Sequence, residues 1–258
     1  MEIPPTGNSR LLMVQPTTDI QTPGDLNHPE FEELYIAMRK KENRLYTDEE
    51  VLQLPLISAD HPHSKEWRIR SKSTKRIIAH LSRKQKPLHL LEIGCGNGWL
   101  SARIAELQGI KVTAIDINET EILQAKRVFR NHTNVEYEYA TIDELQKRDL
   151  KFDCIIFAAS LQYFSDLTVL KTALSILRFN GEIHIFDTSF YTDNKEAILR
   201  SKEYFSQLGF PEMAEYYFHH NYDALKAFNY TMRYDPTSFA NKLFSKNPFP
   251  WILITPIC

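Results

Sequence analysis

Along most of this chain, apolar residues recur at two alternating spacings, and that alternation predicts the fold. Short apolar runs bounded by Pro or Gly mark buried strands, whereas apolar residues three or four apart mark helices. Strands are predicted over 88–94 (LHLLEIG), 111–117 (KVTAIDI), 135–140 (VEYEYA), 152–160 (FDCIIFAAS) and 181–189 (GEIHIFDTS). Helices are predicted among them over 98–107, 119–130 and 167–177. Strands and helices in this order build βαβ units, hence a doubly wound α/β domain with a mostly parallel sheet. In the last third, 194–208, 211–228 and 236–244 are predicted helical, and 229–235 and 249–255 are predicted strands, seven strands in all.

Ahead of that domain the pattern is helical. Phe31, Leu34, Tyr35 and Met38 fall on one helix face after a possible cap at Asn27. Thr47 followed by Glu50 is a capping box opening a short helix through Leu54. A longer helix is predicted over 64–82, with Trp67, Ile77, Ile78 and Leu81 as its buried residues. Residues 1–26 carry Pro4, Pro5, Pro16 and Pro23 among polar residues and have little to bury. The expected organisation is a flexible arm (1–26), a helical leader or lid (27–86) and the α/β domain (87–258).

Composition narrows the function classes. With 258 residues and 43% hydrophobic content, one domain with a sizeable core is accessible. A formal net charge of −2 weighs against a nucleic-acid partner, and the basic stretch 72–86 carries apolar residues at helical spacing. Cys95, Cys154 and Cys258 are too few and too widely spaced for a disulfide framework or a metal site. No apolar run approaches the roughly 20 residues that span a bilayer, and no signal peptide is evident. The expectation is a cytoplasmic monomer or homodimer without a metal.

The candidate chemistry lies where the first strand of the α/β domain ends in Gly94-Cys95-Gly96-Asn97-Gly98 and runs into a helix. Such a loop lets a ligand approach the backbone, and ligands of open parallel sheets bind at the carboxyl ends of the strands. A dinucleotide fingerprint would place its third glycine where this chain has Trp99, and no GK[ST] follows for a P-loop. The stretch LEIGCGNGWLS resembles the first motif of class I S-adenosylmethionine-dependent methyltransferases, an acidic residue, any residue, then GxGxG. The resemblance covers about 88–258 and implies a doubly wound, seven-stranded, mostly parallel sheet with an antiparallel last strand. It implies S-adenosyl-L-methionine as cofactor, with the loop 94–98 under its methionine part and Glu92 near its amino group. It further implies Asp116 on the ribose hydroxyls, Ile117 on adenine, and Ala158 and Ala159 beside the transferred methyl.

Where the family often has an acid for the adenine amino group, this chain has Thr141 and Ile142, with Asp143 one place later. The leader is similar to that of a small-molecule methyltransferase subgroup of unassigned substrate, and Trp67 and Arg70 are its candidates to close over the cofactor or clasp a substrate anion. Methyl transfer to oxygen needs a base, and His219, His220 and Asp187 are the candidates. The fourth strand is followed by AASLQY, without the (D/N)PP(Y/F) of nucleobase and glutamine amino-methylation, and Cys154 lacks the Pro-Cys context of cytosine methylation. The expected reaction is methylation of an oxygen or nitrogen of a small molecule. A cofactor-binding scaffold without turnover is the alternative, and a protein or RNA acceptor is less favoured.

Overall fold

A computed structural model describes residues 29–245 and 247–256. The arm predicted over 1–26, the Asn27 cap and Cys258 lie outside the described residues. The leader forms α1 (Pro29–Lys41), α2 (Asp48–Gln53) and α3 (Ser64–Leu81). The capping box forms as predicted: the Glu50 amide donates to Thr47 Oγ1 (3.3 Å) and the Thr47 amide to Glu50 Oε2 (2.7 Å). Of the residues predicted to be buried in α3, Trp67, Ile77 and Leu81 are buried, whereas Ile78 is only partly covered.

The alternation that follows gives β1 (Leu88–Ile93), α4 (Trp99–Ala105), β2 (Ile110–Asp116), α5 (Glu119–Val128) and β3 (Val135–Tyr139). A short helix not expected from the sequence, α6 (Ile142–Gln146), precedes β4 (Phe152–Ala158). Next come α7 (Thr168–Ser175), β5 (Leu177–Phe186), β6 (Phe190–Tyr191) and α8 (Lys195–Leu208). The final strands are β7 (His220–Asn221), β8 (Tyr230–Tyr234) and β9 (Trp251–Ile254).

Seven strands form one sheet in the order β3-β2-β1-β4-β5-β9-β8. All neighbours pair in parallel except β9, which runs antiparallel to both β5 and β8. Period-two alternation divides the core between the two faces. Leu90, Val112 and Ile156 pack with Ile77, Leu100 and Ile122 on one face; Leu91, Ile155, Phe157 and Ile185 pack with Leu145 and Leu170 on the other. The chain winds outward from β1 to β3 and returns to β4 on the other side of β1. This places the switch point, and the cleft, at the carboxyl ends of β1 and β4.

Two predicted helices are corrected. The stretch 211–228 holds two short 3-10 turns, Pro211–Glu215 and Tyr222–Ala227, flanking the extended β7. It is drawn out because β7 pairs in parallel with β6, Phe190 opposite His220. The stretch 236–244 contracts to a π turn, Asn241–Ser245.

The leader shares a core with the domain. Trp67 meets Trp99 edge-on at 5.3 Å, and Arg103 of α4 donates to the Leu52 and Leu54 carbonyls at 2.6 and 2.8 Å. Arg127 of α5 forms a two-point pair with Asp48 (2.6 and 2.8 Å). No helix among the described residues is long and apolar enough to cross a membrane.

Candidate functional site

The loop after β1 is built for close approach. Gly94, Gly96 and Gly98 all have positive φ, at 73°, 52° and 75°. A Cβ on Gly94 would lie 2.4 Å from Ser160 Cβ, and one on Gly98 would lie 2.4 Å from the Tyr137 ring. The first glycine therefore lets the β4 loop close on β1, and the third lets β3 and α5 close on the loop. Trp99 opens α4 as a buried side chain, filling the position that a dinucleotide fold keeps small.

Two cavities flank this loop. One, of about 500 Å³, is lined by Glu92, Gly94, Cys95, Gly96, Asn97, Ala158 and Ala159 on the domain side and by Arg70 and Trp67 of the leader. The other, of about 290 Å³, is lined by Asp116, Ile117, Asn118, Thr141, Ile142 and Asp143. They share a wall of Tyr35, Gly94, Gly96, Glu121, Ala159 and Tyr163. Every residue singled out for the cofactor thus lines one cavity or both, except that Gly98 packs behind the loop. Phe31 and Tyr35 of α1 pack on Tyr163 at 6.3 and 5.8 Å and roof the smaller cavity.

The carboxylates are unusually placed. Alternation along β1 turns Glu92 to the face that α4 covers, where the Ser101 hydroxyl donates to it. Burial, with Asp116 nearby, pushes its carboxyl up to about 8. Asp116 accepts from the Gly96 amide (2.7 Å) and the Asn118 amide (2.9 Å), and burial raises its pKa despite those bonds. Asn118 also caps α5, its Oδ1 accepting from the Glu121 amide at 2.9 Å. Arg70 stacks on Trp67 at 5.4 Å and pairs with Glu66 at 3.0 Å. Its charge holds the Glu92 and Asp187 carboxyls below where burial alone would put them.

Two neighbours differ from the sequence reading. Thr141 caps α6: its Oγ1 accepts from the Glu144 amide (3.3 Å) and lies 3.2 Å from the Glu144 carboxylate, so its hydroxyl is occupied. Asp143, set aside as one place late, lines the smaller cavity. Glu121, in the first turn of α5, lines both cavities and was not singled out from the sequence, since nothing in its local spacing distinguishes it.

The base candidates separate cleanly. Extended backbone at β7 sends consecutive side chains to opposite sides. His219 lines the larger cavity between the Tyr191 and Tyr217 rings, at 5.4 and 5.3 Å. Ser201 Oγ donates to the Ile198 carbonyl (3.0 Å) and so accepts from His219 Nε2 (2.8 Å). Nδ1 then carries the imidazole lone pair, and burial lowers the ring's pKa and favours the neutral form. His220 is corrected: it is buried, donates from Nε2 to the Leu161 carbonyl (3.0 Å), and lines neither cavity. Asp187, in left-handed backbone (φ 56°), faces the larger cavity and accepts from Ser73 Oγ at 2.6 Å.

Away from the cleft, His80, Glu182 and His184 bring ligand-type atoms within 4.8 Å of one another. The Trp251 indole donates to His184 Nδ1 (3.1 Å), which leaves the proton on Nε2, and Lys84 sits 2.8 Å from Glu182. That arrangement is a closed hydrogen-bond network, with no lone pair on His184 for a cation.

Comparison with known proteins agrees with this geometry. Residues 90–181 match the methyltransferase domain family. An O-methyltransferase (resE) of Aspergillus sclerotiorum is 28% identical over 138 residues, 51% of this chain and 52% of the relative. The tRNA U34 carboxymethyltransferase of Campylobacter fetus subsp. fetus (strain 82-40) is 30% identical over 121 residues, 45% of this chain and 42% of the relative. The chain thus spans about half the length of the curated relatives it matches. Among solved structures, geranyl diphosphate C-methyltransferase from Streptomyces coelicolor A3(2) superposes with a TM-score of 0.56 at 12% identity, covering 88% of this chain and 97% of that one. Residues 90–181 are therefore similar to the methyltransferase domain family, and the chain has the fold of the class I S-adenosylmethionine-dependent methyltransferases.

Proposed function

We propose that this chain transfers a methyl group from S-adenosyl-L-methionine to an oxygen or nitrogen of a small molecule, leaving S-adenosyl-L-homocysteine. The observation that carries the reading is the pair of adjoining cavities, with Glu92 lining one, Asp116 lining the other and Gly94 and Gly96 of the glycine loop in the wall they share. Buried polar atoms without partners support it. Asn97, which lines the larger cavity, has a buried Oδ1 with no donor, and Asn118, which lines the smaller one, has a buried Nδ2 with no acceptor. Such atoms are costly to bury unless a ligand satisfies them.

When bound, the cofactor supplies an already electrophilic methyl group, so the protein's task is positioning and proton handling. Glu92 holds the α-ammonium and Arg70 the carboxylate of the methionine part. Asp116 receives the ribose, Ile117 and Ile142 flank adenine, and Asp143 is placed for its amino group. Ala158 and Ala159, which lack bulk, leave room for an acceptor at near-attack distance. His219 Nδ1 takes the proton of an oxygen acceptor, while Asp187, fixed by Ser73, orients the acceptor from the opposite side.

The test is a transfer assay with methyl-labelled cofactor over separated metabolite, RNA and protein pools. The expected result is label in the small-molecule fraction. Label confined to RNA or protein would overturn the acceptor class, and cofactor binding without any label would favour a scaffold.

A further inference from the structure

The wall shared by the two cavities contains a carboxylate that the rest of the chain leaves unsatisfied. Glu121, in the first turn of α5, is nine-tenths buried and lines both cavities. Among the described residues nothing donates to its carboxylate; its one hydrogen bond is through its backbone amide to Asn118. It flanks the loop closely: a Cβ on Gly96 would lie 3.2 Å from Glu121 Oε2. Burial and the nearby Asp116 carboxylate raise its pKa, against the opposing pull of Arg39. A donor-less buried acid beside a second acid is unfavourable in the ligand-free protein and becomes tolerable when a ligand brings donors.

The position identifies those donors. On the reading above, on which this inference rests, the methionine part lies toward Glu92 and the adenine toward Ile117 and Ile142. The vicinal ribose hydroxyls then fall between them, beside the shared wall. Each Asp116 oxygen already accepts one backbone amide, from Gly96 or Asn118. The buried Asn118 Nδ2, adjacent and without an acceptor, offers a donor to a ribose oxygen. We propose that Glu121 is a second ribose-binding acid of this chain, accepting one hydroxyl while Asp116, braced by two backbone amides, accepts the other.

The experiment titrates the full chain and its Glu121→Met variant with S-adenosylhomocysteine and with its 2′-deoxy and 3′-deoxy analogues. In the unaltered chain, loss of either hydroxyl weakens binding about tenfold or more. The variant binds the parent compound about tenfold more weakly and no longer distinguishes one of the two analogues from it, while the other hydroxyl keeps its full effect. If the variant discriminates against both analogues as the unaltered chain does, the proposal is overturned. Ligand-free melting separates the competing role. The variant melts at or above the unaltered chain because a like-charge contact is gone, whereas a clear fall would mark Glu121 as an ion-pair partner of Arg39 and overturn the proposal. If the unaltered chain binds none of the three compounds, the cofactor reading itself fails, and this inference with it.

Discussion

Helix α3 runs past two groups of histidines and carboxylates that are built in opposite ways. Near its end, Glu182 accepts from His80 (2.8 Å), His184 (3.2 Å) and Lys84 (2.8 Å), and Trp251 occupies the remaining nitrogen of His184. These donors hold the Glu182 carboxyl far below the usual carboxylate range despite its burial. Near the start of α3, where Trp67 and Arg70 face the cleft, Glu92 has one hydroxyl donor and Glu121 none, and both are pushed upward by burial. His219 there has one nitrogen bonded and one left over. A saturated cluster joins helix to sheet, whereas an unsaturated one has capacity left for a ligand. The difference lies in how many donors meet each group, since both clusters draw on the same residue types.

The comparison breaks most sharply at the histidines. His219→Asn should lower the rate of methyl transfer to an oxygen acceptor about 10²–10⁴-fold, with the melting temperature nearly unchanged. His184→Asn should do the reverse, lowering the melting temperature and sparing turnover. Rate loss in the second variant instead of the first would invert the assignment. A smaller effect is expected from Glu182→Ala, which strands His80, His184 and Lys84 and should destabilise the fold by about 3 kcal/mol in denaturant unfolding. S-adenosylhomocysteine affinity, measured where the variant is still folded, should stay the same.

The mildest contrast is in pH. Glu92 binds its proton more tightly in the folded chain (to about 8) than in the unfolded one, so the folded state holds the extra proton through the window between. Its contribution therefore makes the ligand-free chain less stable as pH rises from about 5 to about 8, and Glu92→Gln should flatten that decline. Glu182 has the opposite sign, since its contribution is present above the unfolded carboxylate pKa and is lost only as pH falls well below it. Because an ammonium ligand favours ionised Glu92, S-adenosylhomocysteine should bind up to about tenfold tighter at pH 7 than at pH 6.

The glycine loop and the two carboxylates on either side of it were legible because their signals are local. Spacing places Gly94, Gly96 and Gly98 at a strand end, and Glu92 and Asp116 follow from where β1 and β2 stop. What escaped depends on contacts distant in sequence. The run EYYFHHNY has no period that separates helix from strand, and β7 is extended only because β6 lies beside it. That pairing is also what sends His219 to the cleft and His220 to the core. Glu121 is a first-turn acid of α5 like Glu119, and only the closeness of Gly96 and Asp116 sets it apart. Thr141 showed the converse, a polar residue at the right place whose hydroxyl a capping box had already taken.

The most direct test of the account is a calorimetric titration of the chain and of Glu92→Gln with S-adenosylhomocysteine, with NADH as the competing cofactor. The account predicts one-to-one binding of S-adenosylhomocysteine, a loss of about 10- to 100-fold in the variant, and no heat with NADH. Binding of NADH alone, or equal affinity of both proteins for S-adenosylhomocysteine, would contradict it.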